Sequence, residues 1–207
     1  MSSAYKRASK VPASSGYSGA ETADVLLHSA GVDGVQIEPT QGFLSDHYVP
    51  GQKVLRLSPA VYAGRSLAAV GIAAHESGHA IQDARHYPLL VMRNALVPLA
   101  GIGSNLSWIV IIAGFWLHFA GLIYLGIFLF AGVVLFQLVN LPVEFDASRR
   151  ARLALVHTGL VTPEEDVEVA RVLNAAALTY VAATLTSVLT LLYYLYRSGL
   201  LRGRRSS

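Results

Sequence analysis

The longest apolar stretch of this chain covers residues 94–143, which contain no Lys, Arg, Asp or Glu. As helix it would extend about 75 Å, enough for two bilayer crossings. The pattern predicts one span from about Leu96 to Trp116 and a second from about Leu122 to Leu141, with His118, Phe119, Ala120 and Gly121 as a tight turn between them. A second uncharged window, Val172 to Tyr196, is closed by Tyr193, Tyr194, Tyr196 and Arg197. An aromatic-then-basic ending is what a helix carries where it leaves lipid for water, so a third span is predicted there.

Outside these windows the pattern is that of a small polar region. Ser18 with Glu21 fits a capping box, Ala23, Val25, Leu26 and Leu27 supply an apolar side, and Gly31 is placed to end a helix over about 19–30. Between Val35 and Ser58 the chain is rich in Val, Ile, Leu and Tyr and punctuated by Gly42, Pro50 and Gly51, which predicts two or three short strands with a hairpin turn at Pro50 and Gly51. Ser58 and Pro59 start a brief helix, and a longer one without proline follows over Arg65 to Asp83. Farther on, Thr162 and Glu165 form another capping box with Pro163 at the first helical position, opening a helix that runs into the third span.

Composition agrees with a membrane protein. Hydrophobic residues make up 53% and charged residues 14%, against about a quarter charged in an ordinary soluble domain. A soluble chain of 207 residues would have too little polar material to wrap three such helices. The net charge of +3, with Arg202, Arg204 and Arg205 in the tail, reads as a membrane-flanking anchor, and nothing interleaves basic with aromatic residues as a nucleic-acid surface would. Lys6, Arg7 and Lys10 are followed by no apolar run, so Met1 to Val11 does not read as a signal peptide. Four regions result: residues 1–93 with the strands and the proline-free helix, 94–143 as a two-span hairpin, 144–171 as a helical segment, and 172–207 as the third span with its basic tail.

The chemistry sits on the proline-free helix. His75, Glu76, Ser77, Gly78 and His79 form a His-Glu-x-x-His pentad, and residues four apart share one helical face. Two imidazoles there can hold one zinc ion, with Glu76 beside it to act on a bound water. Cysteine is absent, so the remaining ligand must be His or a carboxylate. A metzincin spacing would require Gly and His where the chain has Gln82 and Arg85, and His86 lies about 10 Å farther along the helix axis. Two crossings return the chain to its starting side, so Glu144, just after the second span, emerges beside the two histidines as the expected third ligand. Asp146 is the alternative, either as ligand or as acceptor of a hydrogen bond from a ligand imidazole.

The HESGH helix, the paired span that follows it, the EFDASRRA segment and the upstream LSDHYVPGQKVLRLSP stretch together resemble the YugP-type neutral zinc metallopeptidases, a family of membrane proteases. The resemblance covers nearly the whole chain. It implies a mainly α, polytopic membrane protein: a zincin-like helix, a small β-hairpin region and about three transmembrane helices. It further implies His75 and His79 as ligands, Glu76 as catalytic acid and base, Glu144 as third ligand in a gluzincin-like set, and one Zn2+ per chain. Members usually begin with one more membrane helix, and this sequence shows no such run ahead of the polar region.

The expected reaction is peptide-bond hydrolysis by a zinc-activated water, with Glu76 as general base. Candidate donors to the developing oxyanion are His47, Tyr48, His157, Arg149 and Tyr180. Val54 to Leu57 is expected either as an exposed edge strand on which an extended peptide or membrane-protein substrate could pair, or as an ordinary hairpin strand that packs Leu55 and Leu57 on the zinc helix, and one strand can do both. Glu165, Asp166 and Glu168 read as a solvated face, and Asn105 and Gln137 as contacts between membrane helices. Arg85, Arg93, Arg149, Arg150, Arg152 and Arg171 on the active-site side outnumber Arg197, Arg202, Arg204 and Arg205 across the bilayer, which favours a cytoplasmic active site. Two readings from other classes remain: a scaffold or chaperone-like protein with a structural zinc, and a transporter whose His and Glu relay ions at mid-membrane.

Overall fold

The computed structural model of the chain describes residues 2–200; Arg202, Arg204 and Arg205 of the basic tail lie outside the described residues. The elements are helices α1 (Ser2–Ala8), α2 (Gly19–Ser29), α3 (Pro59–Tyr62), α4 (Leu67–Ala84), α5 (Pro88–Trp116), α6 (Ala120–His157) and α7 (Pro163–Arg197) and strands β1 (Gln36–Pro39), β2 (His47–Val49) and β3 (Val54–Leu57). The fold is mostly helical, as the sequence pattern requires. Helix α1 had no counterpart in that pattern.

The described chain divides into two compact units, one built from Met1–Leu90 and Val143–Thr179, the other from Val91–Pro142 and Tyr180–Ser207. In the first unit, α2 starts as its capping box dictates: Ser18 N–H donates to Glu21 Oε2 at 2.7 Å and Glu21 N–H to Ser18 Oγ at 3.2 Å. It stops at Gly31, whose φ of +67° only glycine adopts without strain. There Gly31 N–H reaches the His28 carbonyl and Val32 N–H the Leu27 carbonyl, a Schellman closure that folds Val32 back onto Leu27 in the core.

Strand order is β1-β3-β2, with β1 parallel to β3 and β2 antiparallel to it. The Pro50 and Gly51 hairpin forms as expected, but β3 is the central strand and not an edge. A hairpin is a local signal, whereas the pairing of β1 on the far side of β3 depends on how the chain returns. Leu55 and Leu57 are fully buried and pack with Leu27 of α2, Val61 of α3 and Ile72, Ala73 and Ile81 of α4. A second cluster joins Leu26 of α2, Val70 and Ala74 of α4, Ala151 and Leu155 of α6, and Val169 and Val172 of α7. Helix α4 is thus buried on both flanks, which fixes its rotation and the direction of its ligating face.

Three helices are long and apolar enough to cross a membrane: Pro88–Trp116, Ala120–His157 and Pro163–Arg197. Each extends beyond the predicted span on its polar side. Helix α6 in particular continues through Pro142, so Glu144 lies on the same rod as the second span and does not open a new helix. The turn also sits slightly earlier than predicted, since Ala120 already begins α6. In the second unit, Phe130, Val133 and Val134 of α6 pack with Val188 and Leu191 of α7, while Ile109, Ile112, Phe128, Leu185 and Leu189 point outward. Apolar side chains turned out along charge-free helices suit a lipid environment.

The acidic cluster at the start of α7 is partly exposed, and its carboxylates are paired. Glu165 accepts from Ser14 N–H and Oγ, both at 2.8 Å, Asp166 pairs with Arg152, and Glu168 pairs with Arg171 and Arg7. These contacts tie the N-terminal segment and α6 to α7.

Candidate metal centre

Helical spacing sets His75 and His79 on one face of α4, with ring centroids 4.8 Å apart and planes at 83°. Helix α6 crosses that face where α4 has Gly78. A Cβ at Gly78 would stand 2.6 Å from the carbonyl oxygen of Ala147, so only glycine permits the approach. The crossing brings Glu144 to the histidines, its Oε2 lying 3.3 Å from His75 Nε2 and 3.7 Å from His79 Nε2. One ligand atom from each of the three lies within 4.8 Å of the others, so the three could hold a metal ion. Asp146, the alternative, is not part of that group.

Burial opposes the charge of Glu144, but the His75 and His79 imidazoles beside it outweigh burial and hold the carboxyl well below its ordinary range. Its Oε2 is buried without a hydrogen bond of normal geometry. An unsatisfied buried carboxylate oxygen aimed between two imidazole nitrogens is costly unless a cation joins them, and the N, N, O donor set suits zinc.

The far nitrogens of both rings are also engaged. His75 Nδ1 lies 3.1 Å from Ser148 Oγ, and His79 Nδ1 lies 3.0 Å from Gln82 Oε1. Gln82 Nε2 in turn donates to the Val143 carbonyl and to Asp146 Oδ2, both at 2.9 Å. Asp146 therefore acts one residue removed from the imidazole and not by direct contact. Burial is outweighed there by bonds from Arg150, Gln82 and Arg149, which hold its carboxyl below the usual range. Nothing in the sequence pattern had pointed to Gln82 or Ser148.

Glu76 is half-buried beside the group. Burial pushes its carboxyl up; His75 opposes this, Glu144 and Asp46 add to it, and His47 opposes it. A carboxyl raised in this way holds a proton more readily than an ordinary one, as a group that takes and returns a proton requires. Among the candidate oxyanion donors, His47 lies at the start of β2. The Tyr48 hydroxyl donates to Asp83 at 2.9 Å, and Arg149 is spent on Asp146. His157 ends α6 about 20 Å along the helix from Glu144, and Tyr180 belongs to the other compact unit.

A family model described as "Putative neutral zinc metallopeptidase" matches residues 1–199. The chain belongs to this family. Within the zinc metallopeptidase family it is similar to "Putative membrane protease YugP" of Bacillus subtilis (strain 168), at 45% identity over 194 residues, covering 94% of this chain and 86% of the relative. No solved structure matches it. Family and apolar helices together support a membrane protein of the metallopeptidase class.

Proposed function

We propose that this protein is a membrane zinc endopeptidase in which His75, His79 and Glu144 hold one zinc ion and Glu76 is the general base. The observation that carries the reading is the buried, unsatisfied Oε2 of Glu144 facing both imidazole Nε2 atoms. The chemistry a zinc ion supplies there is Lewis-acid activation of a water and polarisation of the peptide carbonyl. Glu76 takes the proton from that water and returns it to the leaving amine, a cycle for which its raised pKa is suited. Three protein donors leave a position for water, which favours catalysis over a structural zinc, whose four positions the protein normally fills. Because the donors lie beyond the charge-free windows, an ion relay at mid-membrane is disfavoured.

With β3 enclosed, we assign substrate pairing to the outer edge of β2, the strand whose Tyr48 is bonded to Asp83 of α4. Main-chain pairing there would make recognition of a peptide or membrane-protein segment broad in sequence. His47, at the start of β2, is the donor we assign to the oxyanion. Its Nδ1 is committed to the Ser45 carbonyl at 2.7 Å, so donation from Nε2 requires the imidazolium form. The arginine balance supports a cytoplasmic active site in this proposal.

The test is Glu76→Gln. It should keep zinc and lower cleavage of a denatured membrane substrate by about 10²- to 10⁴-fold. Undiminished cleavage rejects the assigned role.

A further inference from the structure

Gln82 is fully buried, on the turn of α4 that follows His79, and all three of its hydrogen bonds lie inside the protein. The two partners on one side of its amide, the Val143 carbonyl and the Asp146 carboxylate, can only accept. They fix the amide with Nε2 toward α6 and Oε1 toward His79. An amide oxygen cannot donate, so the 3.0 Å contact requires the proton to sit on His79 Nδ1. The lone pair of His79 is then on Nε2, the atom that faces Glu144. His75 lacks such a lock, because the Ser148 hydroxyl opposite its Nδ1 can donate or accept.

The same amide grips the carbonyl of Val143, the residue before Glu144. One side chain therefore sets the tautomer of a ligand on α4 and the position of the backbone that carries a ligand on α6. Asp146, held by Arg149 and Arg150, backs the amide from behind.

We propose that Gln82 is a positioning residue that locks His79 in the tautomer presenting Nε2 and couples that ring to the Glu144 segment. This rests on the zinc reading above, and its test separates the two. In the full-length, detergent-solubilised, zinc-free protein, raised in pH until each imidazole carries a single proton, nitrogen NMR of the rings reads the tautomer directly. Chelator competition with zinc alone then gives affinity. The wild type should show His79 as the Nδ1–H form. Gln82→Met, close in size but without polar atoms, should give mixed tautomers and weaken zinc by about 10- to 100-fold. Gln82→Glu keeps an acceptor for Nδ1–H but loses both donors to α6, so it should restore the tautomer while zinc affinity stays weakened.

A wild-type His79 carrying its proton on Nε2 overturns the proposal without any variant. So does a Gln82→Met protein with unchanged tautomer and unchanged zinc affinity, or Met and Glu variants weakened equally with the tautomer untouched, which would mark a packing role. If zinc fails to bind the wild type while Gln82→Met still mixes the tautomer, the zinc reading falls and the lock stands.

Discussion

Gly78 and Ala147 meet where α4 crosses α6, so closely that a Cβ on Gly78 would lie 2.6 Å from the Ala147 carbonyl oxygen. Ala147 is fully buried, and its oxygen belongs to a helix backbone that cannot rotate aside. The spacing of the two helices, and with it the reach of Glu144 toward His75 and His79, depends on that missing side chain.

Gly78→Ala should therefore cost about 1–3 kcal/mol of stability despite alanine's better helix propensity, and should weaken zinc binding as well. Gly71→Ala is the control: its Cβ would meet the side chain of Val169 at 3.0 Å, and a side chain can shift. Denaturant unfolding and zinc titration of both variants check the contrast. Equal effects at the two positions would remove the special role of the crossing.

Glu144→Ala should strip zinc, leaving two imidazoles that hold it far more weakly. Asp146→Ala should weaken zinc less, since Asp146 reaches His79 only through Gln82. Metal content after dialysis against a mild chelator decides it. Zinc retained by Glu144→Ala and lost from Asp146→Ala would reverse the ligand assignment.

Acid should loosen the hold of α7 on the N-terminal segment. Burial acts to raise the Glu165 pKa, but bonds from Thr162 and Ser14 outweigh it and leave the pKa lowered. A carboxyl lowered on folding contributes stability that is fully present above its unfolded pKa, about 4.3, and lost as pH falls through the folded value. The stability difference between wild type and Glu165→Gln should thus be constant near neutrality and shrink below about pH 4. Thermal unfolding of the two proteins across that range reads it, and a difference that does not change with pH would show that the Ser14 link carries no charge dependence.

Much of this molecule is local and could be read from order alone. The charge-free windows fix three long apolar helices, because a stretch without charged residues has little alternative to lipid or a core. The Ser18, Glu21 and Gly31 signals bound α2 because capping is a matter of neighbours within four residues. Likewise His75 and His79 share a face by helical geometry, and an even number of spans between them and Glu144 was the ground for expecting it on their side.

What lay beyond the sequence concerns partners far apart in it. Whether Val54 to Leu57 is an edge or a centre depends on where β1 docks, and it is a centre. The pairing of Glu165, Asp166 and Glu168 could not be read because Ser14, Arg152 and Arg7 lie elsewhere in the chain. Gln82 was visible only as a departure from another spacing, and Gly78 only as a filler of the pentad. Both acquire meaning from the crossing with α6, where packing decides which atoms of two rods come within bonding distance.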